Sequence, residues 1–133
     1  MTADDQHAVL VVDDETMVGE MLARYLKREG FRGMAAHSGE EAMKLLTKTS
    51  VNLVLLDVKL GDEDGFDVLK KIKEQHPGLP VVMLTGLGYD DKAMAEALEL
   101  GAAGYLSKSA DVSEVGVTVR RVLGTSIHKQ PGS

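Results

Sequence analysis

Asp13 and Asp14 follow the apolar run AVLVV, Asp57 follows LVLL, Thr85 follows PVVML and Lys108 follows AGYLS. Three carboxylates, a hydroxyl and an ammonium thus each stand at the end of an apolar segment. Taken singly, each has an ordinary explanation. Asp14 can cap a helix, Asp57 can open a solvated loop, Thr85 is at home in a strand and Lys108 can be surface charge. Brought together, they need another. Two unit charges about 4 Å apart repel by roughly 4 kcal/mol at an effective dielectric of 20, so three clustered carboxylates call for a cation. Hard oxygen ligands, few in number and open to water, suit Mg²⁺. Such a metal keeps waters and leaves room for a phosphate. Lys108 then supplies a second cation for a phosphoryl oxygen, and Thr85 a hydroxyl for another. Attack on phosphorus by a carboxylate yields an acyl phosphate, and Asp57 is the expected nucleophile.

Whether these residues meet depends on the elements that carry them. Ala8 to Val12, Phe31 to His37, Val51 to Asp57, Pro80 to Thr85 and Ala103 to Lys108 read as five strands, the second of them weaker and suited to an edge. Helical spacing fills the gaps. It is carried by Met17, Val18, Met21, Leu22, Tyr25 and Leu26, stopped by Gly30. A second helix runs to about Lys48, opened by a capping box of Ser38 and Glu41. Phe66, Val68, Leu69 and Ile72 mark a third, which stops before Pro77. Ala93, Met94, Ala97, Leu98 and Leu100 mark a fourth. Val112, Val115, Val119, Val122 and Leu123 mark a fifth, opened by Asp111 and rich in weak helix formers. Strands alternating with helices give an α/β fold, a doubly wound parallel sheet covered on both faces. Ligands of such sheets sit at the carboxyl ends of the strands, where the strand order switches, and that is where all five residues fall.

The bulk properties set outer bounds. The 133 residues fit one domain, expected over residues 1–124 with a disordered or frayed tail over 125–133. With 44% hydrophobic and 27% charged residues, the chain can bury an ordinary globular core. A formal net charge of −6 argues against direct nucleic-acid contact. The absence of cysteine excludes disulfides and thiolate metal sites. No apolar run reaches the roughly 18–20 residues of a membrane span, and the acidic start MTADDQH is no signal peptide. A cytoplasmic protein without membrane contact is expected. The four histidines, His7, His37, His76 and His128, lack metal-ligand spacing and are expected to be solvated. GDEDG fails as a calcium loop, because the first and twelfth ligand positions would be Leu60 and Lys71. No dinucleotide or P-loop fingerprint occurs.

The motifs VVDDE (Val11 to Glu15), LVLLDVKLGDEDG (Leu53 to Gly65), VVMLTG (Val81 to Gly86) and GAAGYLSK (Gly101 to Lys108) together resemble those of the receiver domain of two-component response regulators. The resemblance covers Ala8 to Leu123. It implies the flavodoxin-like strand order 2-1-3-4-5 with five helices. It further implies that Asp57 accepts a phosphoryl group from a sensor histidine kinase or phosphotransfer protein. Asp13 and Asp14 would form the acidic pocket, with Asp14, Asp57 and the backbone carbonyl of Lys59 ligating Mg²⁺. Thr85 and Lys108 would bind the phosphoryl group. Tyr105 would be the aromatic that rotates inward as Thr85 moves, its alternative being a core-edge aromatic. The signal would leave through the fourth helix, fifth strand and fifth helix, towards an output domain, a target protein or a second copy of the chain. Self-phosphorylation and self-dephosphorylation would be its only chemistry. One departure concerns the residue after the lysine: receivers usually carry proline there, and this chain has Ser109. The GYLSK-Ser pattern is closer to receivers joined to helix-turn-helix output domains.

Two other functions use similar residues. An aspartyl-phosphate phosphohydrolase of the haloacid-dehalogenase type needs an aspartate two residues after its nucleophile as general acid, and this chain has Lys59 there. A receiver-like interaction module that is never phosphorylated has no use for the complete set of Asp13, Asp14, Asp57, Thr85 and Lys108.

Overall fold

The computed structural model describes residues 7–86 and 90–124. Five parallel strands, β1 (Ala8–Val12), β2 (Arg32–Ala36), β3 (Leu53–Asp57), β4 (Val81–Thr85) and β5 (Gly104–Ser107), form one sheet in the order β2-β1-β3-β4-β5. Five helices connect and follow them: α1 (Thr16–Arg28), α2 (Gly39–Lys48), α3 (Gly65–Gln75), α4 (Asp91–Glu99) and α5 (Val112–Leu123). The chain steps from β1 outward to β2 and then returns past β1 to β3. The order therefore switches between β1 and β3, which opens a crevice beyond their carboxyl ends.

Side chains alternate across a strand, and the core divides accordingly. Leu10, Val12, Val54, Leu56, Val81 and Met83 pack with Phe66, Leu69, Ile72 and Ala97. Val9, Val11, Leu53, Leu55, Val82 and Leu84 pack on the other face with Leu22, Leu26, Val115 and Val119. The central strands β1, β3 and β4 are buried along their whole length, which is why they read as unbroken apolar runs.

The expected elements form, with local differences. The fifth strand stops at Ser107, so Lys108 stands in the turn beyond it. The capping box at Ser38 forms only by half. Ser38 Oγ accepts from the Glu41 N–H at 3.1 Å, but Glu41 Oε1 accepts from the N–H of His37, one residue earlier than the motif requires. Met17, Met21 and Leu98 follow the helical spacing yet are exposed. The valine-rich fifth helix forms, closed by Gly124 at φ 71°. The histidines are less solvated than expected. His76 Nε2 is buried with no hydrogen-bond partner among the described residues, and the half-buried His37 ring lies 3.4 Å from the Asp13 carbonyl. His128 and the rest of 125–133 lie outside the described residues.

The turn after β3 is a small antiparallel hairpin in which Lys59 and Leu60 pair with Asp64 and Glu63. Gly65 closes it against the end of β3, its N–H donating to the Val58 carbonyl at 2.7 Å. A Cβ at this position would overlap the Asp57 carbonyl oxygen and stand 2.6 Å from that of Val58. Asp64 then caps α3, accepting from the Phe66 N–H at 2.9 Å.

Candidate functional site

Asp57 ends β3 at the switch point and is 4% exposed. Asp13 follows β1 on the neighbouring strand and is fully buried, while Asp14 is exposed. One carboxylate oxygen from each of Asp13, Asp14 and Asp57 lies within 4.8 Å of the others. Lys108 reaches into this group from the turn after β5. Its Nζ lies 3.0 Å from Asp57 Oδ2, 3.0 Å from Asp13 Oδ2 and 2.9 Å from Glu15 Oε1. The contacts to Asp57 and Glu15 are hydrogen bonds. The contact to Asp13 is an ion pair without hydrogen-bond alignment, and it leaves that buried oxygen with no hydrogen-bond partner among the described residues.

The electrostatics follow from this arrangement. Burial pushes the Asp57 carboxyl up to about 6, against the pull of Lys108. Burial also works against the Lys108 ammonium, but the carboxylates of Glu15, Asp13 and Asp57 outweigh it and hold its pKa above the ordinary lysine value. The hydrogen bond and charge of Lys108 keep the Glu15 carboxyl below its usual value. One ammonium therefore shields part of the carboxylate repulsion, and the pocket stays negative overall.

Thr85 ends β4 and is buried, in register with Ser107 of β5. The Lys108 backbone N–H donates to the Thr85 carbonyl at 2.7 Å. Asp14, Asp57, Lys59, Thr85 and Lys108 all line one cleft of about 700 Å³, with Val18 and Met21 of α1 as an apolar wall. The strand-end residues expected to meet do meet.

A family model described as the response regulator receiver domain matches residues 9–120. The chain belongs to the response regulator receiver family. It is 40% identical over 119 residues to the transcriptional regulatory protein CpxR of Klebsiella pneumoniae subsp. pneumoniae (strain HS11286), and 39% identical to CpxR of Escherichia coli (strain K12). Each match covers 89% of this chain and 50% of the relative, so the chain spans about half the length of the curated relatives it matches. The receiver domain of NtrX from Brucella abortus superposes with a TM-score of 0.82 at 33% identity, over 89% of this chain and 99% of that one. A CheY-like receiver domain protein from Methanospirillum hungatei gives 0.83 at 26% identity, over 90% and 95%.

The receiver site fits a magnesium ion by its donors. Three clustered carboxylates offer hard oxygens, and one of them, Asp13 Oδ2, is buried without a hydrogen bond among the described residues. The Lys59 N–H makes a long contact of 3.4 Å with Asp57 Oδ1, which ties the hairpin to the Asp57 carboxylate. Tyr105 is half-buried on β5, packed against the layer that holds Met83.

Two features of the receiver site escape a reading of the sequence. Glu15 has no role in the VVDDE motif as read from sequence, yet it makes the shortest contact to the Lys108 ammonium. Ser109, which replaces the usual proline, donates its N–H to Ser107 Oγ at 3.1 Å, and the two hydroxyls lie 2.7 Å apart. A proline has no N–H to donate, so this loop holds Lys108 by a different device. Leu87 and Gly88, expected to flank the site and to rearrange, lie outside the described residues. No helix among the described residues is long and apolar enough to cross a membrane.

Proposed function

We propose that this receiver domain is a phosphorylation-dependent switch of a two-component system, with Asp57 as the residue that takes the phosphoryl group. The observation that carries the reading is the single cluster of Asp57, Asp13, Asp14 and Lys108 at the crevice of the sheet. An Asp57 carboxylate oxygen attacks the phosphorus of a phosphohistidine on a sensor histidine kinase or phosphotransfer protein. The new O–P bond forms as the N–P bond breaks, and the imidazole leaves with the electron pair. Lys108 donates to a phosphoryl oxygen, and the Thr85 hydroxyl serves a second. Asp13, Asp14, Asp57 and the Lys59 carbonyl are the groups that would hold Mg²⁺, which neutralises charge as the phosphoryl group transfers. Loss of the group to water is the only other reaction, so the chain is a switch and not a turnover enzyme.

The relatives named transcriptional regulators are about twice as long. An output domain, a separate target or a second copy of this chain is therefore the receiver of the signal, in the cytoplasm and without nucleic-acid or membrane contact from this domain. Incubation with acetyl phosphate and Mg²⁺ tests the chemistry. The mass of the wild type should rise by one phosphoryl group, and Asp57→Asn, folded by circular dichroism, should show no gain. Labelling of Asp57→Asn at the wild-type rate would refute Asp57 as acceptor, and steady release of phosphate with turnover would make the protein a hydrolase.

A further inference from the structure

Lys108 has three N–H donors, and three carboxylates already stand within 3.0 Å of its Nζ. Two of these donors are committed to hydrogen bonds with Glu15 and Asp57, so a phosphoryl oxygen on Asp57 draws on an ammonium already shared among its partners. Asp13 is buried, and a buried charge left unpaired is costly, while the charge of Asp57 passes to the phosphoryl group that it accepts. Glu15 is the exception, with its side chain 62% exposed, and water can take over when its contact breaks. Its placement is also unusual for its position. Glu15 is the N-cap residue of α1, where a side chain ordinarily accepts from the first amides of the helix, yet it makes no capping hydrogen bond. Its backbone N–H is instead held by Asp13 Oδ1 at 2.9 Å, and its carboxylate is turned to the ammonium.

We infer that Glu15 is a positioning residue that competes with the phosphoryl group for Lys108 and so restrains phosphoryl acceptance. The inference rests on the proposed role of Asp57 and Lys108. At rest Glu15 holds one Lys108 donor towards the mouth of the cleft. On transfer that donor passes to a phosphoryl oxygen, and the Glu15 carboxylate returns to water.

The rate of phosphorylation by acetyl phosphate at saturating Mg²⁺ tests this with two variants. Glu15→Ala removes both contact and charge. Glu15→Asp keeps the charge but shortens the arm, and an aspartate at an N-cap finds the helix amides instead. Both should accelerate acceptance by about two- to fivefold, the factor that an exposed ion pair is worth, with no fall in melting temperature. Merely loosened structure would slow the reaction, so acceleration separates positioning from structural support. A gain in Glu15→Ala alone would assign the effect to charge at the mouth and overturn the competition. Unchanged or slower rates in both would overturn it as well. A wild type that takes no phosphoryl group at all would instead sink the proposed function on which the inference stands.

Discussion

The Lys108 backbone N–H donates to the Thr85 carbonyl, so the turn that carries the ammonium is tied directly to the strand end that carries the hydroxyl, the two groups that would grip a phosphoryl group. Two residues back along the same ladder, Met83 pairs with Tyr105. If Thr85 shifts towards a phosphoryl oxygen, as proposed, the movement should pass along β4 and β5 to Tyr105, and from there to α4 and α5. The run Val115, Gly116, Val117, Thr118 and Val119 makes α5 a soft element, since all are weak helix formers. Amide exchange with and without a beryllofluoride phosphate mimic should change between Thr85 and Val122. The two states should differ by only a few kcal/mol. Changes limited to α1 and α2 would exclude this route and, with it, a partner surface there.

Magnesium should stabilise the fold. Binding to the native state alone, at 100 times the dissociation constant, raises stability by about 2.7 kcal/mol. Thermal melts with and without Mg²⁺ measure it, and Asp14→Ala should lose most of the shift. Equal shifts in wild type and variant would contradict the carboxylate site.

The lifetime of the phosphorylated form should depend on Lys59. Hydrolysis needs a water in line with phosphorus, and Lys59 stands at the edge of the cleft two residues beyond Asp57. Replacing its long side chain by alanine opens that approach, so Lys59→Ala should lose its phosphoryl group faster. Decay followed by mass spectrometry at the wild-type rate would refute the steric argument.

A fourth expectation concerns α5 and α1. Glycine inside a helix costs about 1 kcal/mol relative to alanine, but a Cβ on Gly116 would stand 2.7 Å from the Tyr25 hydroxyl. Gly116→Ala alone should therefore gain little. In a Tyr25→Phe background the nearest obstructing atom is gone, leaving Arg120 Nη1 at 3.3 Å, and the same substitution should stabilise by up to about 1 kcal/mol as that side chain gives way. Chemical denaturation of the four proteins measures the coupling, and equal effects in both backgrounds would show that Tyr25 is not the obstacle.

The strand-end residues were legible because a parallel sheet with helices on both faces buries its central strands. Val9, Val11, Leu53 and Leu55 have no polar face to interrupt the run, so a polar residue that ends one stands out. The different fates of Asp13 and Asp14 were not legible. They are neighbours in the chain, but one is buried against Lys108 and the other faces solvent. The pairing of Glu15 with Lys108 joins residues 93 apart in sequence, and nothing local to either announces it. Leu98 shows the same limit from the apolar side. Its spacing suits a core position, but α4 buries only Ala97 fully, and Leu98 stays half exposed.

The hairpin after β3 bears on what a mutational library of this domain would return. At position 65 even one added carbon overlaps the carbonyl of Asp57, the proposed acceptor, so selection for phosphorylation should recover glycine alone. At position 61 the backbone is left-handed, with φ 61°, and a Cβ would meet nothing nearer than Asp14 Oδ2 at 3.7 Å. Asparagine and aspartate, which tolerate that conformation, should survive there. Two glycines four residues apart would then carry opposite amounts of sequence freedom, one set by space and the other by backbone angle.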